Sequence, residues 1–276
     1  MEVRTRVNRT LFGASMSFME LLFHSIVRSA RKSSGNATLG LGISILQSLI
    51  MLAIFFALFT VIGMRTAAIR GDFVIFLLTG IFLFLTHNKA VSSAMGAVTP
   101  VGGLTLHTPI SSLLNVLASV LSGLYLQVLG FAIILLVVHI LRGGLEFYNP
   151  AGLIFPFFMA WASGIAIGLM FGVLSPFAPK FIPMVALMYR RANMITSGKM
   201  LPANYMSAAM ITWFDWNPLF HTIDQARGHA FVNYFPHHTN MGYPVYLSLT
   251  LVMIAMMIEF WLRKNMSQSW GKRSKL

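Results

Sequence analysis

The chain has 276 residues, of which 57% are apolar and only 10% are charged, and its formal net charge is +13. Charged residues make up roughly a quarter of an average soluble domain, so this composition excludes a soluble globular protein. Cysteine is absent, which excludes a disulfide framework, a thiolate metal site and a cysteine nucleophile. The basic excess is interpreted as anchoring to anionic lipid rather than as nucleic-acid binding.

The first 38 residues are predicted as a cytoplasmic segment with an amphipathic helix lying in the membrane interface. Within 15–32, Phe18, Leu22 and Ile26 share one face of a helix, and charged side chains fill a narrow arc on the other. Such a helix places its apolar face in lipid and keeps its charges in water. A disordered basic tail is the alternative for this segment.

Six apolar stretches are each predicted as a transmembrane helix. A hydrocarbon core of about 30 Å needs roughly 20 apolar residues, and lipid offers an open backbone no hydrogen-bond partner. The second stretch is short and is expected to continue past Thr86, with His87 and Lys89 near the membrane boundary. The predicted fold is therefore all-α: a six-span membrane domain at 39–262, followed by a basic cytoplasmic tail at 263–276. The six stretches are 42–62, 73–86, 113–141, 151–177, 181–197 and 245–262.

The distribution of basic residues predicts the orientation of the chain. With six spans, most of the 20 Lys and Arg residues fall on the side that holds both termini. Loops rich in Lys and Arg stay in the cytoplasm, so both termini are predicted to be cytoplasmic.

The stretch 87–110 between the second and third spans is predicted as a cytoplasmic segment that binds a partner. It is too polar for lipid and too long for a tight turn, and loops of this length usually bind something or are disordered. The candidate docking residues are Lys89, Gly96, Val101, His107 and Pro109.

The fourth span carries Gly164, Gly168 and Gly172, spaced by four residues. This spacing strips one helix face of side chains and lets another helix approach closely. Packing inside the chain is the favoured interpretation, and a dimer seam is the alternative.

Arg190 and Arg191 are adjacent arginines inside the fifth apolar stretch, and they are predicted to line a translocation route. Insertion scales assign about 2.5–3.5 kcal/mol to each arginine at the bilayer centre, so the two must face protein, water or a ligand. Counting from Lys180 places them near mid-membrane. A structural role, in which they bond backbone carbonyls, is the alternative.

Two short helices within 203–232 are predicted to lie between the last two spans, as outer amphipathic or re-entrant helices that form a gate. Asn217 is the expected N-cap and Pro218 the first helical residue of the second helix. Asp224 and Arg227 lie three residues apart and are expected to form an exposed pair of little value for stability. The candidate gate residues are Trp216, Asn217, Pro218, Asp224 and Arg227.

Four histidines, at 221, 229, 237 and 238, lie in this region without a carboxylate at metal-binding spacing, so no metal site is predicted. The seven acidic residues are scattered across loops, so no catalytic residue is predicted either. His221 and Asp224, at i and i+3, are the one pair that would serve the less favoured alternative, a membrane-embedded acyltransferase.

Three motifs carry a resemblance to a known family. They are FLLTGI at 76–81, SG at 197–198 followed by LP at 201–202, and WNPLFHTIDQARGHAF at 216–231. Together they resemble the permease subunits of type-2 ATP-binding-cassette (ABC) exporters, and within that family the branch that exports capsular polysaccharide. The resemblance covers nearly the whole chain in order.

The resemblance implies a homodimeric channel that moves a lipid-linked glycan outward across the inner membrane of a Gram-negative bacterium. It also implies a separate ATPase that docks on 87–110, and a periplasmic export adaptor is a further expected partner. The sequence contains no G-x-x-x-x-G-K-[ST] motif, so ATP and Mg²⁺ are expected on the partner and no cofactor in this chain. A type-2 exporter of another substrate, such as a drug, a lipid or a teichoic-type polymer, is the main alternative.

Overall fold

A computed structural model of the chain describes residues 11–34, 37–62, 71–98 and 112–273. Within these ranges every regular element is helical, which confirms the all-α prediction for the part of the chain described. Short 3-10 turns at Ala151–Leu153 and Ala203–Tyr205 accompany the α-helices. The α-helices are α1 (Leu11–Ser34), α2 (Ala37–Ile62), α3 (Phe73–Val98), α4 (Ser112–Arg142), α5 (Ile154–Leu174), α6 (Phe181–Thr196), α7 (Ala208–Phe214), α8 (Pro218–Ala230) and α9 (Gly242–Arg273).

Five helical segments are long and apolar enough to cross a membrane. They correspond to the first, second, third, fourth and sixth predicted spans. The fifth predicted span is α6, which has 16 residues and is therefore about 24 Å long, shorter than a typical hydrocarbon core. A membrane crossing by the fifth predicted span, and with it the total of six spans, thus stays a prediction. The five segments are Leu39–Val61, Phe73–Val98, Leu113–Arg142, Ala151–Leu174 and Gly242–Leu262.

Helix α1 covers the residues for which an interfacial helix was predicted, and its place in the membrane interface stays a prediction. It contacts α4 and α2 and leaves several large apolar side chains uncovered, among them Met16, Met19 and Phe23. An uncovered apolar face of this kind suits contact with lipid.

Helix α3 is the centre of the bundle, packed against α2, α4, α5 and α8, and most of its residues are buried. It continues without a break to Val98, so the described part of the predicted segment 87–110 is the end of a helix and not a loop. His87 is fully buried, because its ring atoms find polar partners on α5 and α6. The remainder of that segment, from 99 to 110, lies outside the described residues.

The glycine face of α5 packs against α3. A Cβ atom built on Gly164 would lie 2.5 Å from the His87 carbonyl oxygen, and one on Gly168 would lie 2.5 Å from that of Val91. One on Gly172 would lie 2.7 Å from the Cβ of Val98. These separations leave no room for a side chain, so the predicted packing of this face inside the chain is confirmed.

Two further contacts fix α3 against α4. The rings of Phe82 and Phe131 stack with their centroids 3.8 Å apart, near the middle of both helices. At the end of the pair, Arg142 Nη1 donates to both carboxylate oxygens of Asp72 at 2.6 Å. The same carboxylate accepts the Val74 N–H at 2.8 Å and so caps the first turn of α3.

Helix α8 is inserted between α3 and α5, and ten of its 13 residues are buried. The segment after α4 holds its far end, since the Tyr148 N–H donates to the Ala230 carbonyl and the Asn149 N–H to that of His229. Of the two predicted arrangements, amphipathic or re-entrant, this burial favours a re-entrant helix. Helix α7, by contrast, has no buried residue.

Candidate translocation and gate residues

Asn217 joins the start of α8 to the end of α6. Its Oδ1 accepts the Leu219 N–H at 3.0 Å, and Pro218 occupies the first turn, so the predicted N-cap is confirmed. Its Nδ2 donates to Asn193 Oδ1 at 2.9 Å and to Thr196 Oγ1 at 2.8 Å. The side chain is fully buried and uses its acceptor and both of its donors.

Arg227 lies in the last turn of α8 and has an exposure of 0%. Its Nη1 donates to the Gly198 carbonyl at 2.8 Å, and its Nη2 donates to the Lys199 carbonyl at 2.7 Å. The guanidinium carbon lies 4.1 Å from the ring centroid of Phe76. A planar fork with several donors can bond two backbone carbonyls and still stack on an aromatic ring.

The three motifs that carried the family resemblance therefore meet at one point. Phe76 belongs to the first, Gly198 to the second and Arg227 to the third. Gly198 has a φ of +68°, a conformation that favours glycine, and a Cβ there would lie 2.6 Å from the Phe220 ring. Gly80, which is also in the first motif, faces the same turn, since its Cβ would lie 3.1 Å from the Lys199 carbonyl oxygen.

Asp224 is also buried, and it bonds a different set of segments from Arg227. Its carboxylate accepts hydrogen bonds from the Tyr234 hydroxyl, from Thr239 Oγ1 at 2.8 Å and from the Ala203 N–H at 3.3 Å. The pKa of Tyr234 is raised, first by burial and second by the negative charge of Asp224. The phenol therefore stays protonated and able to donate.

The expected exposed pair between Asp224 and Arg227 is wrong. Both side chains are buried, and within the described part of the chain each bonds a different segment, Arg227 the turn at 198–201 and Asp224 the residues 203, 234 and 239. The spacing of three residues does place the two on one face of a helix. Insertion of that helix into the bundle then supplies partners that sequence spacing cannot show.

Lys199 is a buried cation that sequence reasoning did not single out as a site. Its exposure is 2%, and its Nζ lies 3.4 Å from the ring centroid of Phe84 and 4.8 Å from that of Phe55. No described group accepts a hydrogen bond from this nitrogen.

Arg190 and Arg191 are separated by the structure. Arg190 Nη1 donates to Ser92 Oγ at 2.5 Å, whereas Arg191 is exposed. Ser92 lies six residues from Val98, or about 9 Å along α3. Arg190 therefore contacts the half of α3 that ends at Val98. Its depth in the membrane stays a prediction.

Tyr189 and Asn193, on the same helix as Arg190, also bond α3, and the sequence analysis missed both. The Tyr189 hydroxyl lies 2.9 Å from His87 Nε2. The other ring nitrogen, His87 Nδ1, lies 2.9 Å from the Ala160 carbonyl oxygen. A carbonyl only accepts, so Nδ1 carries the ring hydrogen and Nε2 accepts from the tyrosine. Asn193 and Thr196 continue the same face of α6, so the signal was a polar repeat at i, i+4 and i+7.

The other predicted residues occupy varied places. Lys89 is half-buried on α3, and Gly96 is exposed on it. Trp216 is partly exposed, and its carbonyl accepts the Tyr243 hydroxyl at 2.6 Å. Val101, His107 and Pro109 lie outside the described residues.

His221 is engaged by the backbone. Its Nε2 lies 2.8 Å from the Asp215 carbonyl oxygen, and its Nδ1 accepts the Asn240 N–H at 3.3 Å. It is therefore not paired with Asp224, as the acyltransferase alternative would require. Among the described residues, no group of three or more metal-binding side chains could hold an ion.

The fold and its buried polar cluster define the class of the protein: a multi-pass α-helical membrane protein with a short helix inserted into its bundle. No family model matches the chain. Two Escherichia coli proteins, each named polysialic acid transport protein KpsM, are 23% and 22% identical to it over 248 residues. Each alignment covers 90% of this chain and 94% of the relative.

These relatives confirm the resemblance predicted from the motifs, to permease subunits of type-2 ABC exporters in the polysaccharide-exporting branch. Both are named as transport proteins, which agrees with the prediction of a transporter rather than an enzyme.

Proposed function

We propose that the chain is the transmembrane subunit of an ATP-driven exporter, which moves a capsular or extracellular polysaccharide across the bacterial inner membrane on a lipid carrier. The observation that carries the proposal is similarity over 90% of the chain to relatives named as polysialic acid transport proteins. The meeting of all three family motifs at Arg227 supports it, because it gives those motifs a shared structural role.

In this proposal the chain crosses the membrane six times and both termini are cytoplasmic. Helix α6 belongs to the fifth crossing, in which the chain beyond Thr196 completes the path that α6 begins. The 98 end of α3 then faces the cytoplasm, and the ends of α3 and α4 joined by Asp72 and Arg142 face outward. Helix α1 lies along the cytoplasmic interface.

The energy for export comes from a separate ATPase, because the sequence has no phosphate-binding loop of its own. We place its docking surface at the 98 end of α3 and the following residues to 110. Lys89 and Gly96 lie on that part of α3, and a Cβ atom placed at Gly96 would meet no atom of the described residues within 4 Å. Two copies of the chain form the channel, and a periplasmic adaptor receives the polymer.

Helices α7 and α8, which we call the gate hairpin, form the outer gate. Helix α8 is fixed by its buried polar contacts, whereas α7 has no buried residue and packs on Phe220 through partly buried Ile211 and Phe214. In this proposal α7 is the part of the gate that moves against a passing polymer. Arg190 and Arg191 stand on the inner part of the route, where the anionic phosphate of a lipid carrier would meet exposed Arg191 first.

The test is deletion of the gene in the source bacterium, with polysaccharide measured at the cell surface and in the cytoplasm. Loss of surface polymer with accumulation inside, restored by a plasmid copy of the gene, is the expected result. A matched control inactivates the ATPase through its phosphate-binding lysine and should give the same phenotype. Unchanged surface polymer in the deletion strain, with altered resistance to a drug instead, would support the other exporter class.

A further inference from the structure

Several polar side chains join helix α6 to the bundle. Of its 16 residues only Ala186 and Asn193 are buried. The face toward α3 carries Tyr189, Arg190 and Asn193, each within hydrogen-bond distance of a side chain on α3. Contacts of this kind hold a helix in one register, because each donor needs its own acceptor.

Three side-chain amides form a continuous chain of hydrogen bonds through α6. The Leu219 N–H donates to Asn217 Oδ1, and this backbone donor fixes the orientation of that amide. Asn217 Nδ2 then donates to Asn193 Oδ1 at 2.9 Å. Asn193 Nδ2 in turn donates to Asn88 Oδ1 at 3.4 Å. The orientation of each amide therefore follows from the one before it.

The two ends of this chain lie on parts of the molecule with different tasks. Asn88 is on α3, ten residues before its last described residue, Val98. Asn217 is the N-cap of α8, the helix whose Asp224 and Arg227 hold the surrounding loops. Asn193 lies between them with an exposure of 0%, so water cannot replace the bonds that it makes.

We propose that Asn193 is a positioning residue for export: it transmits movement of the 98 end of α3 to the gate hairpin. The proposal rests on the proposed function above, in which the ATPase docks at that end of α3. When α3 shifts, Asn88 moves with it and pulls Asn193 through their hydrogen bond. Asn193 in turn moves Asn217, the N-cap of α8. Packed apolar surfaces can slide past one another, whereas a buried amide that loses its partner is left unsatisfied.

Asn193→Leu tests this, because leucine has a similar volume and makes no hydrogen bond. The matched control is Thr86→Val on α3. The Thr86 hydroxyl is buried but donates to the Phe82 carbonyl of its own helix, so its removal breaks no contact between helices. Both variants are expressed in the deletion strain with the partner ATPase. Surface polysaccharide is measured against ATP hydrolysis in membranes from the same cells.

The expected result for Asn193→Leu is a fall of about three- to tenfold in polymer exported per ATP hydrolysed, the size expected for one lost hydrogen bond. ATP hydrolysis itself continues, and Thr86→Val behaves as the wild type. Equal falls in export and hydrolysis would show a merely structural role and would overturn the proposal, as would an unchanged ratio.

A second measurement reports the movement itself. The sequence lacks cysteine, so Trp213→Cys on α7 gives a single site for labelling. The site is accessible, since the Trp213 side chain is 76% exposed. Its reaction with a membrane-impermeant maleimide is expected to differ between energised and ATP-depleted cells. Asn193→Leu should abolish that difference, and its persistence would contradict the proposal.

Asn88→Leu covers the case in which Asn193→Leu fails to accumulate, since Asn88 is half-buried and its loss breaks the same chain. The double variant should be no worse than the stronger single variant, because both interrupt one path. Additive effects would mean two independent contacts and would sink the inference. If the wild-type gene itself fails to restore surface polymer, the proposed function fails instead, so the two failures are distinguishable.

Discussion

Arg227→Ala is expected to destabilise the folded protein strongly. The side chain is fully buried, and truncation leaves the carbonyls of Gly198 and Lys199 without their donor. Each hydrogen bond from a charged group contributes about 1.5–3 kcal/mol, and stacking on the Phe76 ring adds about 1–2 kcal/mol. Relief of the buried charge offsets part of this sum, so we expect a net loss of about 3–5 kcal/mol.

This expectation reverses the one that sequence spacing suggests, in which an exposed Asp224–Arg227 pair could be broken with little loss of folded protein. Melting of the detergent-solubilised protein, followed by tryptophan fluorescence, decides between them. Taking about 2–4 °C per kcal/mol for a chain of this size, Arg227→Ala should lower the melting temperature by roughly 10 °C. Arg191→Ala, which removes an exposed arginine, is the matched control and should change it little.

Arg227→Lys sharpens the test. Lysine keeps the charge, but a single ammonium cannot bond two carbonyls in a fixed geometry while stacking on Phe76. It should therefore recover only part of the loss. A melting change below about 2 °C for Arg227→Ala would refute the reasoning, since it would mean that the bonds to Gly198 and Lys199 are absent from the folded protein.

Three other predictions follow from the same geometry. Gly168→Ala should lower the melting temperature, because its Cβ would lie 2.5 Å from a backbone oxygen. Gly96→Ala, whose Cβ would meet no described atom within 4 Å, should be neutral or raise it slightly. Lys199→Met should raise the melting temperature in the same assay, because it removes a buried ammonium to which no described group offers a hydrogen-bond acceptor. Replacing Arg190 and Arg191 with Gln should reduce surface polymer without loss of membrane insertion, and Glu at both positions should reduce it further. Equal export by the Gln and Glu variants would rule out attraction of an anionic lipid phosphate.

Features that depend on neighbouring residues were predictable from the sequence. The apolar stretches matched five helical segments, because hydrocarbon thickness sets a length that composition alone reveals. The N-cap at Asn217 was equally accessible, since a cap bonds the backbone only two residues away. The packing of Gly164, Gly168 and Gly172 followed from their spacing, although the sequence did not show that α3 is the partner.

Features that depend on distant partners were not predictable. His87 looked like the start of a polar loop, yet it is buried because Ala160 and Tyr189 meet its two ring nitrogens. Nothing near His87 in the sequence signals partners that lie 73 and 102 residues away. The polar repeat of Tyr189, Asn193 and Thr196 was a visible signal. The two neighbouring arginines, however, led to the prediction of a translocation route instead of contacts between helices.

The meeting of the three motifs at Arg227 indicates what those motifs report. Asn217 starts α8, and Arg227 follows just under three turns later, where it bonds the turn at Gly198 and stacks on Phe76. Each member of the set needs the others: the turn needs a donor for its carbonyls, and a buried guanidinium needs those carbonyls. The motifs therefore specify how the inserted helix is held, not which polymer passes it. Substitutions within this set should lower the stability of any exporter that shares them, whatever it carries, whereas substrate preference should respond to exposed groups such as Arg191.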